Sequence, residues 1–561
     1  LSERLGSVFE AFGWNLIILK YGKLQKEAFD EPGGHLLKKW IDDCPNQLYS
    51  ALIYEGGSTF KQRILDDIGD QDIVSELINK RTDSEFLDLM ANLGGHCVQT
   101  LIKVFEKVKD DKPTAFIAYT IKGWGTPLAG HKDNHAGLMT KAQMNSFKLK
   151  YGISDGNEWH RFSDEKNNIE LDQYIKNLPF QKAKHRKYQS KKVLVDENVF
   201  IKETKISTQN AFGKILDQYA KNNTDFSQRI LTTSPDVSVS TNLGPWINRK
   251  GLFSRKDSSD TFKDRKIPSA QKWIFSSQGQ HIELGIAEMN LFLMLGAAGL
   301  SHEFFGERLF PIGTVYDPFI SRGLDAMNYA CYQDARFMIV GTPSGISLAP
   351  EGGAHQSIAT PLIGISQPGL LSFEPAFADE LALIMNYGFN YLQDESGGSI
   401  YLRLTTRSID QPMREIDNEL KNNIIKGGYW LKKPGPNPEV IIVYQGAVAS
   451  EAIESTALLG EKFKNSGVLS ITSSDKLFHE WKNQNSTSHI ELLLEGVPRD
   501  TRIITVIDGH PMTLSWIGSI YGHKTIPLGV SSFGQTGKVE DLFKEFTIDS
   551  QSISNLGFSI N

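Results

Sequence analysis

The chain has 561 residues, of which 40% are hydrophobic and 22% charged, and its composition suits a protein of three or four domains. A net charge of -6 excludes the basic surface expected of a nucleic-acid-binding or anionic-membrane-binding protein. The longest apolar run, Leu291 to Leu300, is too short to span a bilayer.

Cysteine usage indicates a reducing compartment. Cys44, Cys97 and Cys331 are odd in number and far apart, so they form neither a disulfide framework nor a zinc-binding spacing. We therefore expect a cytoplasmic protein whose cysteines are small core residues.

The first 150 residues alternate helical and extended patterns. Apolar residues at helical spacing, Leu5, Val8, Phe9 and Phe12, predict one apolar helix face, and 15–19 reads as a short buried strand. Because the chain begins at Leu1 within this helical pattern, we expect it to be the C-terminal part of a longer protein.

Further along this region, a predicted helix over 98–107 precedes a strand over 114–120 and a glycine turn at 122–125. Such alternation predicts a parallel, layered α/β sheet. The polar stretch 130–137 then predicts a loop that carries His131 and His135.

The segment from about 155 to 205 is polar and contains the basic run 182–192. We interpret it as a solvated linker, with a binding patch for an acidic partner as the alternative.

The second domain is predicted to begin with a helix over 207–219 and a strand over 230–236. After a polar lead-in, Glu288 stands where the apolar helical run 291–300 begins. A carboxylate there is either a helix-start residue stabilised by the helix dipole or a desolvated group that can hold a proton near neutrality. A buried strand predicted over 333–341 is followed by a loop carrying His355, and ligands of parallel sheets lie at such strand ends.

After the Pro-rich stretch 432–438, read as a linker, strands are predicted over 439–444, 468–472 and 501–507, with a helix over 446–462. These elements predict a compact C-terminal α/β domain.

Three motifs in order carry a family resemblance: Gly285-Ile-Ala-Glu288, the aromatic segment that ends Phe319-Ile-Ser-Arg322, and Gly352-Gly-Ala-His355-Gln. This succession resembles the pyrimidine-binding domain of the thiamine-diphosphate enzymes of the transketolase superfamily. The earlier string Gly95-His-Cys97, with Thr120-Ile-Lys-Gly-Trp-Gly125, is similar to the end of their diphosphate-binding domain, although Cys97 replaces the usual Asp. The opening Phe9-Glu-Ala-Phe-Gly-Trp14 is similar to the homodimeric pyruvate dehydrogenase first component.

The resemblance implies a multi-domain α/β protein with the thiamine-diphosphate-binding fold. Its expected parts are the C-terminal part of a diphosphate-binding domain (1–150), a linker (151–205), a pyrimidine-binding domain (206–415) and a transketolase C-terminal-like domain (416–561). In relatives the last domain braces the dimer.

The resemblance also implies roles for individual residues. Glu288 would hydrogen-bond the aminopyrimidine ring nitrogen and supply its proton, and Phe319 would stack on that ring, with Tyr316 as the weaker candidate. His355 would bind the substrate adduct, and His135 would assist proton transfer. Further residues expected near the substrate are His131, Asp236, Ser240, Glu351 and Arg407.

Relatives hold Mg²⁺ and diphosphate with Gly-Asp-Gly followed some thirty residues later by Asn. The chain has no Gly-Asp-Gly, and the nearest string is Gly69-Asp70-Gln71, so we expect the metal motif upstream of Leu1 and no metal ligands here. The piece alone is then expected to be inactive.

The leading functional hypothesis is the decarboxylating component of a 2-oxo acid dehydrogenase. It would decarboxylate pyruvate, pass the acyl unit to a lipoyl group on an acyltransferase core, and act as a homodimer. The alternative is transketolase-type ketol transfer between sugar phosphates, since Arg407 and Glu351 match positions where transketolases bind phosphate and a substrate hydroxyl. A third hypothesis is a non-catalytic assembly subunit.

Overall fold

A computed structural model describes residues 2–69, 72–159, 168–178, 190–197, 199–256, 259, 261–483 and 486–559. Two compact units divide the chain, Leu1–Leu178 and Pro179–Asn561. Of the string Gly69-Asp70-Gln71, only Gly69 is among the described residues, and of the basic run 182–192, only 190–192 are.

The first unit is largely helical. Its elements are α1 Ser2–Ala11, β1 Asn15–Leu19, α2 Lys23–Phe29, α3 Gly34–Asp43, α4 Asn46–Glu55, α5 Gly57–Ile68, α6 Asp72–Asn79, α7 Asp83–Ala91, α8 Val98–Phe105, β2 Thr114–Ala118, α9 Lys141–Lys150 and α10 Asn168–Asn177. Its core lies among α2 to α7, where Phe60 makes edge contacts with Trp40, Tyr49 and Phe86.

The predicted strand at 15–19 is present, but its predicted burial is wrong. Only Leu19 is buried, while Ile18 is 48% exposed. Among the described residues β1 pairs in parallel only with β2, so its other edge has no strand partner there. The apolar face of α1 is likewise exposed at Leu5 and Val8.

The middle part of the second unit contains β3 Lys205–Ile206, α11 Thr208–Asn222, α12 Asp225–Arg229, β4 Ile230–Ser234, α13 Gly244–Lys250, β5 Leu252–Phe253, α14 Thr261–Asp264, β6 Phe275–Ser276, β7 His281–Glu283, α15 Glu288–Gly299, α16 Ser301–Phe305, β8 Phe310–Val315, α17 Leu324–Tyr332, β9 Met338–Gly341, α18 Thr360–Ser366, β10 Leu370–Phe373, α19 Ala378–Tyr391, β11 Ser399–Arg403 and β12 Ile409–Asp410. Two 3₁₀ helices, Asp317–Gly323 and Gly353–His355, follow β8 and β9.

Eight of these strands form one parallel sheet in the order β10-β11-β9-β8-β4-β7-β5-β6. Strands β8, β9 and β11 are buried along their whole length, as expected where helices cover both faces of a parallel sheet. Ser234 pairs with Glu283 and Val315 with Gly341, so the carboxyl ends of four strands meet at one edge.

Two predictions for this part differ most from the structure. The strand predicted from 333 begins only at Met338, because Asp334 has a left-handed φ of 62° and turns the chain after α17. Near the end of the predicted solvated linker, Val193 and Val195 are buried in the core of this part, and Gln393 bonds both the N–H and the carbonyl of Val193.

The last part contains α20 Asn418–Lys426, β13 Gly428–Lys432, β14 Val440–Gln445, α21 Ala449–Leu459, β15 Gly467–Ile471, α22 Ser474–Lys482, α23 His489–Leu494, β16 Arg502–Ile507, α24 Met512–Ser515, β17 Thr525–Leu528, α25 Val539–Glu545 and α26 Ser550–Phe558. Its five-stranded sheet has the order β13-β15-β14-β16-β17, with β13 antiparallel at the edge. The stretch 432–438 therefore connects two strands of one sheet rather than two domains.

The predicted fold class is confirmed, because sheets that are wholly or mainly parallel and flanked by helices make up both parts of the second unit. Among the described residues, no helix combines the length and apolar character needed to cross a membrane.

Candidate active site

Glu288 is the first residue of α15, just after the carboxyl end of β7. Its side chain is only 10% exposed, and apolar residues such as Leu291, Phe292 and Leu295 follow it into the core. Glu288 therefore stands at a helix start, as one alternative drawn from the sequence requires, and it is also largely withdrawn from solvent.

Three rings gather beside this carboxylate. Tyr316 and Phe319 are stacked, with centroids 5.8 Å apart, and the His355 ring lies 5.3 Å from Phe319 and 6.2 Å from Tyr316. Tyr316 and Phe319 follow β8, whereas His355 comes from the loop after β9. The structure thus brings together all four residues that the motifs assign to the pyrimidine and the substrate adduct.

Arg322 links the carboxylate to the Phe319 ring, although the motifs in the sequence predict no role for it. Its Nη1 lies 2.5 Å from Glu288 Oε1, and its guanidinium carbon lies 3.7 Å from the Phe319 ring centroid. The sequence signal for the contact between Phe319 and Arg322 is their spacing of three residues, because residues i and i+3 of a 3₁₀ helix lie on one face. A Cβ on the next residue, Gly323, would lie 2.2 Å from Phe292, so glycine permits this close approach to α15.

Beneath the rings, Asp317 is fully buried in a polar network. Its carboxylate accepts hydrogen bonds from Arg403 Nε at 2.9 Å, from Thr360 at 2.5 Å, and from the hydroxyls of Tyr401 and Ser357. Since Asp317 follows Tyr316 and Ser357 lies two residues after His355, the network ties together the two segments that carry the rings.

Arg403 extends the network into the last part of the chain. Its guanidinium lies 2.5 Å from Glu374 Oε1 and donates to the Asp508 carbonyl at 2.8 Å. The Asp508 carboxylate accepts from the backbone N–H groups of Ile346 and Ser347, at the start of the loop that carries His355. Burial raises the pKa of Glu374 to about 7, against the opposing effect of Arg403.

A second polar cluster lies at the carboxyl ends of β4 and β7. Ser238 Oγ donates to Glu283 Oε2 at 2.5 Å and lies 3.0 Å from His281 Nε2. The other Glu283 oxygen accepts the N–H of Asp236, whose φ is a left-handed 64°. Burial alone would raise the pKa of Glu283, but the hydrogen bonds from His281, Ser238 and the Asp236 backbone outweigh it and lower that pKa.

Four other residues predicted near the substrate, Asp236, Ser240, Glu351 and Arg407, form no hydrogen bond or ion pair with Glu288 or the three rings within the described part of the chain. Asp236, Ser240 and Glu351 are exposed. Arg407 forms a two-pronged ion pair with Glu451, at 2.6 and 2.5 Å, and lies over the Phe543 ring, so its contacts are with the last part of the chain.

His131 and His135 belong to the first unit. The His131 ring packs 4.6 Å from that of Tyr54 and accepts the N–H of Asp133, while His135 is exposed on the same loop. Cys97, the residue found in place of the family's Asp, is buried at the start of α8, and its Sγ accepts the Lys23 N–H at 3.2 Å.

The described residues fit the pyrimidine half of thiamine diphosphate, because a largely buried carboxyl stands beside an aromatic cluster at the strand ends. They contain no group of three or more His, Cys, Asp or Glu side chains able to hold a metal ion.

Fold and site together define a multi-domain α/β protein with a carboxylate and aromatic site at the edge of a parallel sheet. Residues 190–412 match the model of the "Pyruvate dehydrogenase E1 component middle domain", and residues 427–549 match the "Transketolase-like TK C-terminal domain". These two matches place residues 190–412 and 427–549 in domains of the pyruvate dehydrogenase E1 and transketolase families, which the motifs predict.

Similar proteins agree with this placement. The "Pyruvate dehydrogenase E1 component" of Escherichia coli (strain K12) is 23% identical over 98% of this chain and 65% of its own length. The protein of that name from Buchnera aphidicola subsp. Schizaphis graminum is 26% identical over 77% of this chain and 50% of its own length. The transketolase of Campylobacter jejuni shares the fold with a TM-score of 0.59 at 19% identity, covering 83% of this chain and 66% of its own. The chain thus spans about 65% of the length of the first of these relatives.

Proposed function

We propose that this chain is part of a thiamine-diphosphate-dependent enzyme that decarboxylates a 2-oxo acid, pyruvate in the first instance, and transfers the acyl unit to a lipoyl group. It would act as the decarboxylating component of a 2-oxo acid dehydrogenase complex. The observation that carries the proposal is the approach of Glu288, Phe319 and His355 from three separated segments. The names of the similar proteins support the substrate class.

Thiamine diphosphate, with Mg²⁺, would supply the electron sink for decarboxylation. Glu288 would hold a proton against the pyrimidine ring nitrogen, a task that needs a carboxyl and cannot be done by an amide. Phe319, backed by Tyr316, would orient the ring by stacking. His355 would donate to the oxygen on which charge develops, and His135 would move a proton.

The proposal extends to organisation and partners. The chain would comprise the end of a diphosphate-binding domain (1–150), a linker (151–205), a pyrimidine-binding domain (206–415) and a transketolase C-terminal-like domain (416–561). Two copies would form a homodimer that binds a lipoyl-bearing acyltransferase core. The exposed side chains of Met289 and Leu293, 41% and 58% exposed on the largely apolar α15, support a covering partner. Three free cysteines support a reducing cytoplasm.

The test is an assay of the full-length protein with thiamine diphosphate and Mg²⁺. Pyruvate with a dye acceptor is offered in one reaction, and xylulose 5-phosphate with ribose 5-phosphate in another. We expect dye reduction with pyruvate and a loss of about 100-fold or more in Glu288→Gln, while Glu307→Gln, a surface control, stays active. Activity with the sugar phosphates alone would instead establish the transketolase alternative. Inactivity in both reactions would contradict the proposal.

A further inference from the structure

Arg322 contacts both of the side chains that the proposed function assigns to the pyrimidine ring. It forms the ion pair with Glu288 at 2.5 Å, and its guanidinium lies 3.7 Å from the Phe319 ring centroid. A guanidinium is planar, stacks on aromatic faces and donates hydrogen bonds in its own plane. An aminopyrimidine would use the same ring and the same carboxyl.

The two sets of contacts compete, because they use the same carboxyl group and the same ring. In the ion pair the Glu288 carboxylate accepts a hydrogen bond from Arg322, whereas a pyrimidine ring nitrogen needs that carboxyl as a donor. Arg322 is 53% exposed while Glu288 is 10% exposed, so the arginine is the partner free to swing into solvent.

We propose that Arg322 closes the pyrimidine site in the free protein and must leave Phe319 and Glu288 before the cofactor can bind. This inference rests on the proposed function. Arg322 is thereby a positioning residue that sets cofactor affinity: it holds the carboxyl and the ring in place until the cofactor takes over both contacts.

The contact must be weak enough to be displaced. Half-exposed ion pairs are screened by water and salt, and a cation–π contact at such a site is also modest. Removing both should tighten cofactor binding by about tenfold, which corresponds to ~1.4 kcal/mol.

The experiment measures thiamine diphosphate affinity by quenching of protein fluorescence, with the full-length protein and Mg²⁺. Arg322→Met should bind about tenfold more tightly than wild type, and Arg322→Lys, which keeps the charge but not the plane, should fall between them. The matched control is Arg249→Met, since Arg249 is 45% exposed and pairs with Asp217 on α11, outside the site. The control should leave the affinity unchanged.

Equal or weaker binding by both Arg322 variants, with wild type binding normally, would overturn the inference and leave the proposed function standing. Absence of binding by wild type and both variants would overturn the proposed function itself. A crystal structure of the loaded protein gives a second readout, because a guanidinium still lying over Phe319 would also refute the inference.

Discussion

Replacing Arg403 with methionine should destabilise the second unit more than any surface arginine replacement. Arg403 is 2% exposed. It donates hydrogen bonds to the side chains of Asp317, Glu374 and Ser357 and to the Asp508 carbonyl. Methionine fills much of the volume but leaves buried carboxyl groups without their cation.

The expected cost follows from these contacts. Breaking a buried ion pair by removing one partner costs about 3–5 kcal/mol, because an uncompensated charge remains. Glu374, with a pKa of about 7, takes up a proton easily, and Asp317 keeps its hydroxyl donors, so we expect a value near the lower end. Arg249→Met, at an exposed pair, should cost about 0–1 kcal/mol.

The assay is urea unfolding of both variants and wild type, with the buried Trp246 as a fluorescence reporter in the second unit. A cycle with Asp317→Asn adds an internal check, since removing one carboxylate should lower the cost of Arg403→Met by about 1–3 kcal/mol. A cost below about 1.5 kcal/mol, or a coupling near zero, would refute this account of the network.

Three further predictions concern single side chains. Because the pKa of Glu374 is about 7 in the folded state, this state keeps a proton that the unfolded state loses above the ordinary glutamate pKa of 4.5. The contribution of Glu374 to stability should therefore fall as pH rises from 4.5 to 7. Glu374→Gln should make the free energy of urea unfolding depend less on pH in that window. Phe319→Ala should weaken thiamine diphosphate binding at least about 2- to 10-fold, the value of the lost stacking, and an unchanged titration would contradict its role. Glu283→Leu, which cannot accept the Asp236 N–H, should free the loop of Asp236 and raise the pyruvate KM several-fold with little change in kcat; an unchanged KM in steady-state assays would contradict a role for this loop in substrate binding.

The order of motifs in the sequence was enough to place Glu288, Phe319 and His355 in one site. Each motif stands at the end of a strand, and parallel strands bring their carboxyl ends to one edge whatever their separation in sequence. The α/β class was predictable for the same reason, because the apolar runs have strand and helix lengths. The largest shift of a predicted strand boundary came where a single residue decided the backbone, at Asp334 with its positive φ.

Other parts of the site could not be predicted because they depend on contacts between distant segments. Asp317, Arg403 and Asp508 lie in separate stretches of sequence, and each alone is a charged residue near a strand end. The one local signal was an Arg at the end of the mainly apolar strand β11. The exposure of β1 depends on how many strands lie beside it, which its own apolar residues do not reveal.

The network also bears on what the last part of the chain does. The family resemblance implies that this part braces the dimer. Its Asp508 carboxylate also accepts hydrogen bonds from two backbone N–H groups at the start of the loop that carries His355, and the Asp508 carbonyl accepts one from Arg403. Arg403 in turn holds Asp317, next to Tyr316. A shift of β16 would therefore move both ring-bearing segments together, because each is fixed to the same buried guanidinium. The last part of the chain thus contributes contacts that help to position the segments carrying the His355 and Phe319 rings.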